Sequence, residues 1–286
     1  MAKNNTLFLE TKDFSVSGEA FELHQNQAYG FLETLPRPSK EDLDSYYDSH
    51  QYVSHQTSKQ NLFDWVYFLV RKVTLKKKIQ LISKFSFDHQ TLLDYGAGVG
   101  YFVRSTRNAG WESIGIEPSF EARRAGNLLL RNSIFDENHT TKLISKSQSV
   151  ISLWHVLEHL PDLKQSINEF DRLLSEDGRL IVAVPNFKSY DARYFKNFWA
   201  AYDVPRHLWH FTPQSIVRLF SEFGFELEST HPMLFDAYYV SLLSTKYKYG
   251  KMNISKALWV GFQSNLHAKR SGHYSSLIYV LKRNKT

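Results

Sequence analysis

The stretch Leu92-Leu-Asp-Tyr-Gly-Ala-Gly-Val-Gly-Tyr-Phe102 places three glycines at alternate positions directly after an apolar segment. This pattern predicts a buried strand, a sharp turn and the start of a helix, because glycine lets the backbone turn and lets a ligand approach closely. Glu117 stands at the end of the next apolar segment, where a carboxylate can accept hydrogen bonds from two ribose hydroxyls. The stretch therefore predicts a nucleotide-like ligand.

Working outward, short apolar segments alternate with stretches of helical spacing that begin near Tyr101, Ser119 and Pro161. The predicted strands are residues 91–95, 113–117, 133–135, 150–154, 180–184, 225–230 and 275–282. Strands that alternate with helices favour an α/β fold with a doubly wound, Rossmann-like, seven-stranded and mostly parallel sheet, with helices on both faces. We also expect an N-terminal extension and a cap inserted between strand five and the last strands.

The spacing Asp-x-Gly-x-Gly-x-Gly favours S-adenosylmethionine over a dinucleotide, which would need Gly-x-Gly-x-x-Gly. The segment resembles motif I of the class I S-adenosylmethionine-dependent methyltransferases, and Glu117 matches the ribose-binding acid of that family. The resemblance implies S-adenosyl-L-methionine as cofactor. The cofactor-binding residues that it implies, or that adjoin its motifs, are Asp94, Gly96, Ala97, Gly98, Gly100, Tyr101, Phe102, Glu117, Pro118 and Trp154.

The stretch 153–162 is similar to the motif that follows strand four in methyltransferases acting on small molecules. The resemblance implies a small-molecule acceptor. The histidines after strand four resemble those of O-methyltransferases, so we expect an oxygen acceptor, with carbon and nitrogen acceptors still open. A histidine at this place can orient or deprotonate the acceptor. The candidate catalytic residues are His155, His159, His207 and His210. For each histidine, packing in the core with a hydrogen bond to backbone remains an alternative.

We divide the chain into an N-terminal extension, residues 1–60, and a methyltransferase domain, residues 61–286, in which 186–211 and 235–274 form the substrate cap. Aromatic residues are frequent in and beside the cap, as an apolar acceptor pocket or as simple core. The aromatic candidates are Trp199, Tyr202, Phe211, Phe235, Tyr238 and Tyr239.

The extension resembles that of a methyltransferase subset that carries an N-terminal zinc knuckle, through residues 36–39, Tyr46-Tyr47 and 52–55. The chain departs from the subset where its second Cys pair would stand, because Asn26 and Tyr29 occupy those positions. We therefore expect no metal there and carry over no role of the knuckle.

Composition limits the remaining chemistry. The 286 residues include no cysteine, which excludes disulfides and thiolate ligands or nucleophiles, and the net charge is +6. The basic run 71–78 lies in a helical pattern and is expected to be a solvated face.

No apolar run approaches the ~20 residues of a membrane span. Since the N-terminus also shows no signal-peptide pattern, we expect a cytoplasmic protein without a membrane partner, and nucleic acid is not an expected partner.

Four rival interpretations stay open at this point. His155-Val-Leu-Glu-His159 matches the His-x-x-Glu-His motif of certain zinc peptidases. An RNA or protein methyltransferase would share the cofactor half, and a nicotinamide dehydrogenase would share the sheet. A noncatalytic module would bind the cofactor without turnover.

Overall fold

A computed structural model describes residues 5–39, 42, 44–46 and 62–284. Tyr47, the stretch 52–55 and the domain boundary predicted at residue 60 lie outside the described residues. The strands are β1 Asn5–Lys12, β2 Ala20–Asn26, β3 Leu32–Leu35, β4 Thr91–Tyr95, β5 Glu112–Ile116, β6 Ile134–Phe135, β7 Gln148–Trp154, β8 Leu174–Pro185, β9 Trp209–His210, β10 Phe225–Pro232 and β11 Ser276–Arg283. The helices are α1 Leu62–Ile82, α2 Tyr101–Asn108, α3 Phe120–Leu130, α4 Leu163–Leu173, α5 Tyr190–Phe195, α6 Pro213–Ser221, α7 Asp236–Tyr249 and α8 Ile254–Ser271.

The main sheet has seven strands in the order β10-β11-β8-β7-β4-β5-β6 and is mostly parallel, as the sequence predicts. β4 pairs in parallel with β5 on one side and with β7 on the other. The strand order therefore reverses beside the carboxyl end of β4, which is the position where open α/β sheets bind nucleotide-like ligands.

By its internal contacts the chain divides into two interleaved compact units. The glycine-loop unit comprises residues 49–154, 164–182 and 280–286, and the histidine unit comprises residues 1–48, 155–163 and 183–279. The core of the glycine-loop unit includes fully buried side chains from three adjacent strands, namely Leu92, Leu93, Ile116, Val150, Ile151 and Leu153.

Residues 5–35 of the N-terminal extension contain three strands, which our sequence interpretation did not predict. β1, β2 and β3 form a four-stranded sheet with β9, and their pairings are antiparallel. Phe21, Leu23 and Leu32 are buried in its core while polar residues alternate with them, which is the pattern of a half-buried strand. Because polar residues alternate with the apolar ones, the composition of this stretch is polar overall, and composition alone does not predict the strands.

The turn between β2 and β3 begins at Asn26 and contains Tyr29, the two positions at which the sequence departs from the zinc-knuckle pattern. The side-chain Oδ1 of Asn26 accepts hydrogen bonds from the backbone N–H groups of Ala28, at 3.0 Å, and Tyr29, at 3.2 Å. The Gly30 N–H donates to the Asn26 carbonyl at 2.7 Å. An asparagine turn thus holds this loop through its own hydrogen bonds.

In the histidine unit, the stretch 186–211 contains α5, short 3-10 turns and β9, and the stretch 233–274 contains the helix pair α7 and α8. Trp199, Tyr202 and Phe211 are fully buried, so these three aromatic candidates belong to the core. None of the helices among the described residues combines the length and the apolar character that a membrane crossing requires.

Candidate functional site

The glycine loop follows β4 and leads into α2. Gly96, Gly98 and Gly100 have φ angles of 77°, 55° and 76°. These angles lie in the left-handed region, which residues with a Cβ rarely adopt. A Cβ on Gly100 would lie 2.4 Å from Leu130 Cδ1 and 2.6 Å from Ile134 Cδ1, so this position also lacks space for a side chain. The three glycines are therefore required by backbone conformation, and at Gly100 by packing as well.

Glu117 is tied directly to this loop. Its Oε2 accepts the Gly98 N–H at 2.8 Å and its Oε1 accepts the Ser119 N–H at 2.9 Å. Burial raises the pKa of Glu117, and these two backbone hydrogen bonds oppose the rise. A carboxylate can accept about four hydrogen bonds in total, so Glu117 keeps acceptor capacity for two ribose hydroxyls.

Asp94 is the next-to-last residue of β4, and Trp154 is the last residue of the neighbouring strand β7. Asp94 is buried and accepts a hydrogen bond of 2.7 Å from Ser152 Oγ. Burial raises the pKa of Asp94 to about 7, although the Ser152 hydrogen bond and the charge of Lys78 lower it. The indole Nε1 of Trp154 is buried and has no hydrogen-bond partner within the described part of the chain. An orphaned donor beside a glycine loop fits a bound cofactor that presents acceptor atoms.

The remaining predicted cofactor residues surround the loop in different ways. Phe102 is buried and packs edge-to-face on Trp154, with ring centroids 5.3 Å apart. Tyr101 is partly buried at the start of α2, and Ala97 donates its N–H to the Ile116 carbonyl at 2.9 Å. Pro118 is exposed, and its carbonyl accepts a hydrogen bond from Arg123 at 2.6 Å. These contacts fit the implied cofactor, whose binding by each residue remains a prediction.

Two members of the basic run 71–78 are not a solvated face, contrary to our sequence expectation. Lys78 Nζ lies 3.9 Å from the ring centroid of Trp154, and the Arg71 guanidinium lies 4.0 Å from that of Tyr101. Both distances are within the range of cation–π interactions. The two residues are seven positions apart and so share one face of α1, which is the sequence signal that could have identified them.

The histidine unit contains the four candidate histidines. His155 has a φ of 57°, unusual for a residue with a side chain, and its ring is held between two carboxylates. His155 Nδ1 lies 3.3 Å from Glu158 Oε1, and Nε2 lies 3.1 Å from Asp236 Oδ2. Burial alone would lower the pKa of His155, but these two carboxylates raise it to about 10. His155 is thus an imidazolium at neutral pH.

His159 and His207 form an edge-to-face pair with ring centroids 4.6 Å apart. His159 Nδ1 lies 2.9 Å from the Arg206 carbonyl oxygen, and His207 Nδ1 lies 3.0 Å from the Ala201 carbonyl oxygen. Because a carbonyl only accepts, each Nδ1 carries the proton and donates it. Burial and the neighbouring His207 lower the pKa of His159 to about 4, so His159 is neutral.

His210 has different surroundings. It is buried, lies in β9, and its Nε2 is 2.9 Å from Thr34 Oγ1 in β3. Burial and the neighbouring His207 hold its pKa well below the ordinary value. These contacts join two paired strands of the N-terminal sheet.

Arg206 connects the N-terminal strands to this region. Its guanidinium donates to Asp203 Oδ1 at 2.7 Å, to Asp13 Oδ1 at 3.0 Å and to the Tyr46 carbonyl at 2.9 Å. Burial alone would lower the pKa of Arg206, but Asp203 and Asp13 raise it. Arg206 is therefore engaged in holding the histidine unit together.

The structure also places two carboxylates beside His155 that the sequence interpretation did not connect with it. Glu158 and Asp236 flank His155, but 78 positions separate them in the chain, so no local motif links them. One ligand atom each from Glu158, His159 and His207 lies within 4.8 Å of the others, so this trio could hold a metal ion. Glu158 Oε1 also lies 3.3 Å from His155 Nδ1, so a protonated His155 offsets the charge of this buried carboxylate.

The peptidase alternative does not fit this geometry. Leu157–His159 is a short 3-10 turn, so His155 and His159 do not share one face of an α-helix as zinc ligands of that motif would. Both ring nitrogens of His155 also face carboxylates.

The family model described as "Methyltransferase domain" matches residues 67–230, more than half of the chain. The chain belongs to this methyltransferase family. Together with the Asp94 to Gly100 loop and Glu117, this makes it a class I methyltransferase with S-adenosylmethionine as cofactor. No curated protein matches the chain.

Solved structures share the fold of this methyltransferase at low sequence identity. Magnesium protoporphyrin IX methyltransferase from Synechocystis PCC 6803, with bound SAH, is 14% identical at a TM-score of 0.55 and covers 86% of this chain and 100% of its own. Geranyl diphosphate C-methyltransferase from Streptomyces coelicolor A3(2) is 14% identical at a TM-score of 0.52, with 81% and 89% covered.

Proposed function

We propose that this methyltransferase transfers the methyl group of S-adenosylmethionine to a hydroxyl oxygen of a small molecule bound by the histidine unit. The cofactor supplies an electrophilic methyl group on a sulfonium sulfur. The oxygen–methyl bond forms as the sulfur–methyl bond breaks, and the hydroxyl proton must pass to the protein. The chain therefore has to position the hydroxyl and provide a proton acceptor.

The observation that carries this proposal is the cluster of His155, Glu158 and Asp236. One imidazolium faces two carboxylates, so the charges sum to +1 − 2 = −1. Such a cluster can take up one proton and become neutral. The side chains of His155 and Asp236 are 34% and 21% exposed, whereas Glu158 is 1% exposed. Asp236 and His155 are therefore its acceptor-facing members.

This arrangement separates the roles of the two exposed members. The imidazolium has no free lone pair while protonated, so we assign the proton-accepting role to the Asp236 carboxylate. His155 then orients Asp236 and stabilises its charge, while Glu158 keeps His155 protonated. We assign structural roles to His159, His207 and His210. Each of them has a backbone or side-chain hydrogen bond within the histidine unit.

The chemistry of structurally similar proteins is compatible with small acceptors. The Streptomyces enzyme is named for methylation of geranyl diphosphate at carbon, and the Synechocystis enzyme for a porphyrin substrate. Neither name fixes the acceptor atom for this chain. The preference for oxygen rests on the His155 cluster alone.

The test is an acceptor screen by mass spectrometry with the purified protein, S-adenosylmethionine and a panel of small phenols, catechols and hydroxy acids. Wild type should add one methyl group to a hydroxyl compound. Asp236→Asn and His155→Gln should lower turnover by roughly 10²–10⁴-fold, the usual range for loss of acid–base assistance. Their affinity for S-adenosylhomocysteine should stay unchanged.

The matched control is His24→Gln, because His24 lies on β2 and pairs with Glu22 instead of the cluster. This variant should keep wild-type turnover. Methyl incorporation into RNA or protein without modification of any small hydroxyl compound would contradict the proposal. Full turnover by Asp236→Asn would remove Asp236 from the proton path.

A further inference from the structure

Helix α8 buries its small residues and exposes its large apolar ones, the reverse of an ordinary surface helix. The residues that it buries are small, apart from one valine, and they are Ala257, Val260, Gly261, Ser264 and Ala268. Its large apolar residues are between 47% and 63% exposed, and they are Ile254, Leu258, Trp259, Phe262 and Leu266. A surface helix normally places its large apolar residues toward the core. Here the small face packs and the large face points outward.

The exposed apolar residues form one continuous stripe. Ile254, Leu258, Phe262 and Leu266 are spaced four residues apart, and with about 100° per residue they fall, together with Trp259, within an arc of about 140°. Tyr249 and Met252, just before the helix, are also exposed. The helix is about 27 Å long at 1.5 Å per residue. Contiguous exposed apolar surface of this extent indicates a binding surface.

Charge defines what this surface binds. Residues 237–274 contain six lysines and arginines and no aspartate or glutamate. Lys251, Lys269 and Arg270 are exposed, and Lys256 Nζ lies 4.7 Å from the ring centroid of Tyr249. An exposed apolar stripe with Trp and Phe, on a helix whose charged residues are all basic, is the composition of helices that lie in the interface of anionic membranes.

We propose that the outward face of α8 binds the surface of an anionic phospholipid bilayer, with Ile254, Leu258, Trp259, Phe262 and Leu266 inserted among the acyl chains. The basic side chains would contact the headgroups, and Lys256 and Lys269 would extend their aliphatic stems toward them. A second copy of the chain is disfavoured as the occupant, because it would bring two positively charged faces together. This proposal departs from our sequence expectation that the protein has no membrane partner.

Vesicle co-sedimentation of the full-length protein tests the proposal. The protein should bind phosphatidylcholine vesicles that contain phosphatidylglycerol at least tenfold more tightly than vesicles of phosphatidylcholine alone. The affinity should fall as salt is raised, because the charge contribution is screened. The double variant Leu258→Ser, Phe262→Ser should lose at least tenfold in affinity for the anionic vesicles.

Two further variants separate lost binding from lost folding. Lys269→Glu with Arg270→Glu leaves the apolar stripe and the buried face intact, and it should also weaken binding to anionic vesicles at least tenfold. Leu128→Ser is the matched control, because Leu128 is 83% exposed on a different helix, α3, and it should bind like wild type.

Three results would overturn the proposal. The first is that wild type fails to sediment with anionic vesicles. The second is equal loss of binding in Leu128→Ser. The third is a concentration-dependent dimer in sedimentation velocity that the Leu258, Phe262 double variant abolishes, since this would assign the surface to a second copy. None of these readouts depends on methyl transfer.

Discussion

At the scale of single residues, Glu117 connects the glycine loop to the cofactor. Glu117→Gln keeps the size of the side chain but removes its charge, so the hydrogen bonds to Gly98, Ser119 and the ribose are weakened. We expect affinity for S-adenosylhomocysteine to fall by about 1.5–3 kcal/mol, the range for hydrogen bonds to a charged group. Calorimetric titration measures this change.

Glu121→Gln is the control for this prediction. Glu121 lies in the first turn of α3, and its exposed side chain pairs with Arg124. Its variant should bind S-adenosylhomocysteine as wild type does. Equal affinities for wild type and Glu117→Gln would remove Glu117 from the cofactor site.

Gly100 gives a second prediction at this scale. An alanine there would have a φ of 76° and would collide with Leu130 and Ile134, whereas Gly250, with φ 74°, has no atom within 4 Å of its Cβ position. Both substitutions incur the backbone cost of roughly 1–2 kcal/mol, but only Gly100→Ala adds an overpacking cost of about 1–3 kcal/mol. Urea unfolding should therefore show Gly100→Ala as the less stable variant.

The opposite order, or equal stability of the two variants, would contradict the close packing described around Gly100. Gly250 follows the last residue of α7, and no atom lies within 4 Å of its Cβ position. Its alanine variant therefore measures the cost of the backbone conformation alone.

At the scale of elements, the turn after β1 is joined to the stretch before β9 by the buried ion pair of Asp13 and Arg206. Burial alone would raise the pKa of Asp13, but hydrogen bonds from Arg206, Ser17 and Ser15 hold it well below the ordinary value. A lowered folded-state pKa stabilises the fold above the unfolded pKa of about 3.9, and this contribution is lost as the pH falls below it.

Asp13→Asn should therefore destabilise the protein at neutral pH by about 1–3 kcal/mol, since Arg206 loses one carboxylate partner and keeps Asp203. The variant should also lose stability less steeply than wild type as the pH is lowered through 4. Urea unfolding at a series of pH values measures both effects. Identical pH profiles would show that Asp13 does not contribute to acid sensitivity.

The elements also show where sequence reasoning succeeds. The strand and helix order from Thr91 to Pro185 and the loop containing Gly96, Gly98 and Gly100 were predictable, because alternating apolar and helical patterns and glycine spacing are local signals. The strands around Phe21 and Leu23 were missed, although their alternation with polar residues is visible in the sequence.

The site was only partly predictable, because contacts made through tertiary structure leave no local signal in the sequence. His155 was identified from a local motif, but Asp236 reaches it through tertiary structure, and no pattern in the sequence connects the two. Lys78 was assigned to solvent because a charged helix face is usually solvated, whereas its distance from Trp154 depends on the packing of α1.

For the whole molecule, the cofactor prediction and the acceptor proposal concern different units. The glycine-loop unit contains every residue predicted to bind the cofactor, while the histidine unit contains the His155 cluster and the exposed face of α8. Family membership establishes methyl transfer, whereas the binding of the acceptor by the histidine unit is our proposal.

The most direct test of the central claim is calorimetric titration of the purified protein with S-adenosylhomocysteine and, separately, with NADH. We predict saturable one-to-one binding of S-adenosylhomocysteine and no heat of binding with NADH. Binding of NADH in preference to S-adenosylhomocysteine, or binding of neither, would contradict the assignment of the glycine loop and Glu117 to the methyl donor.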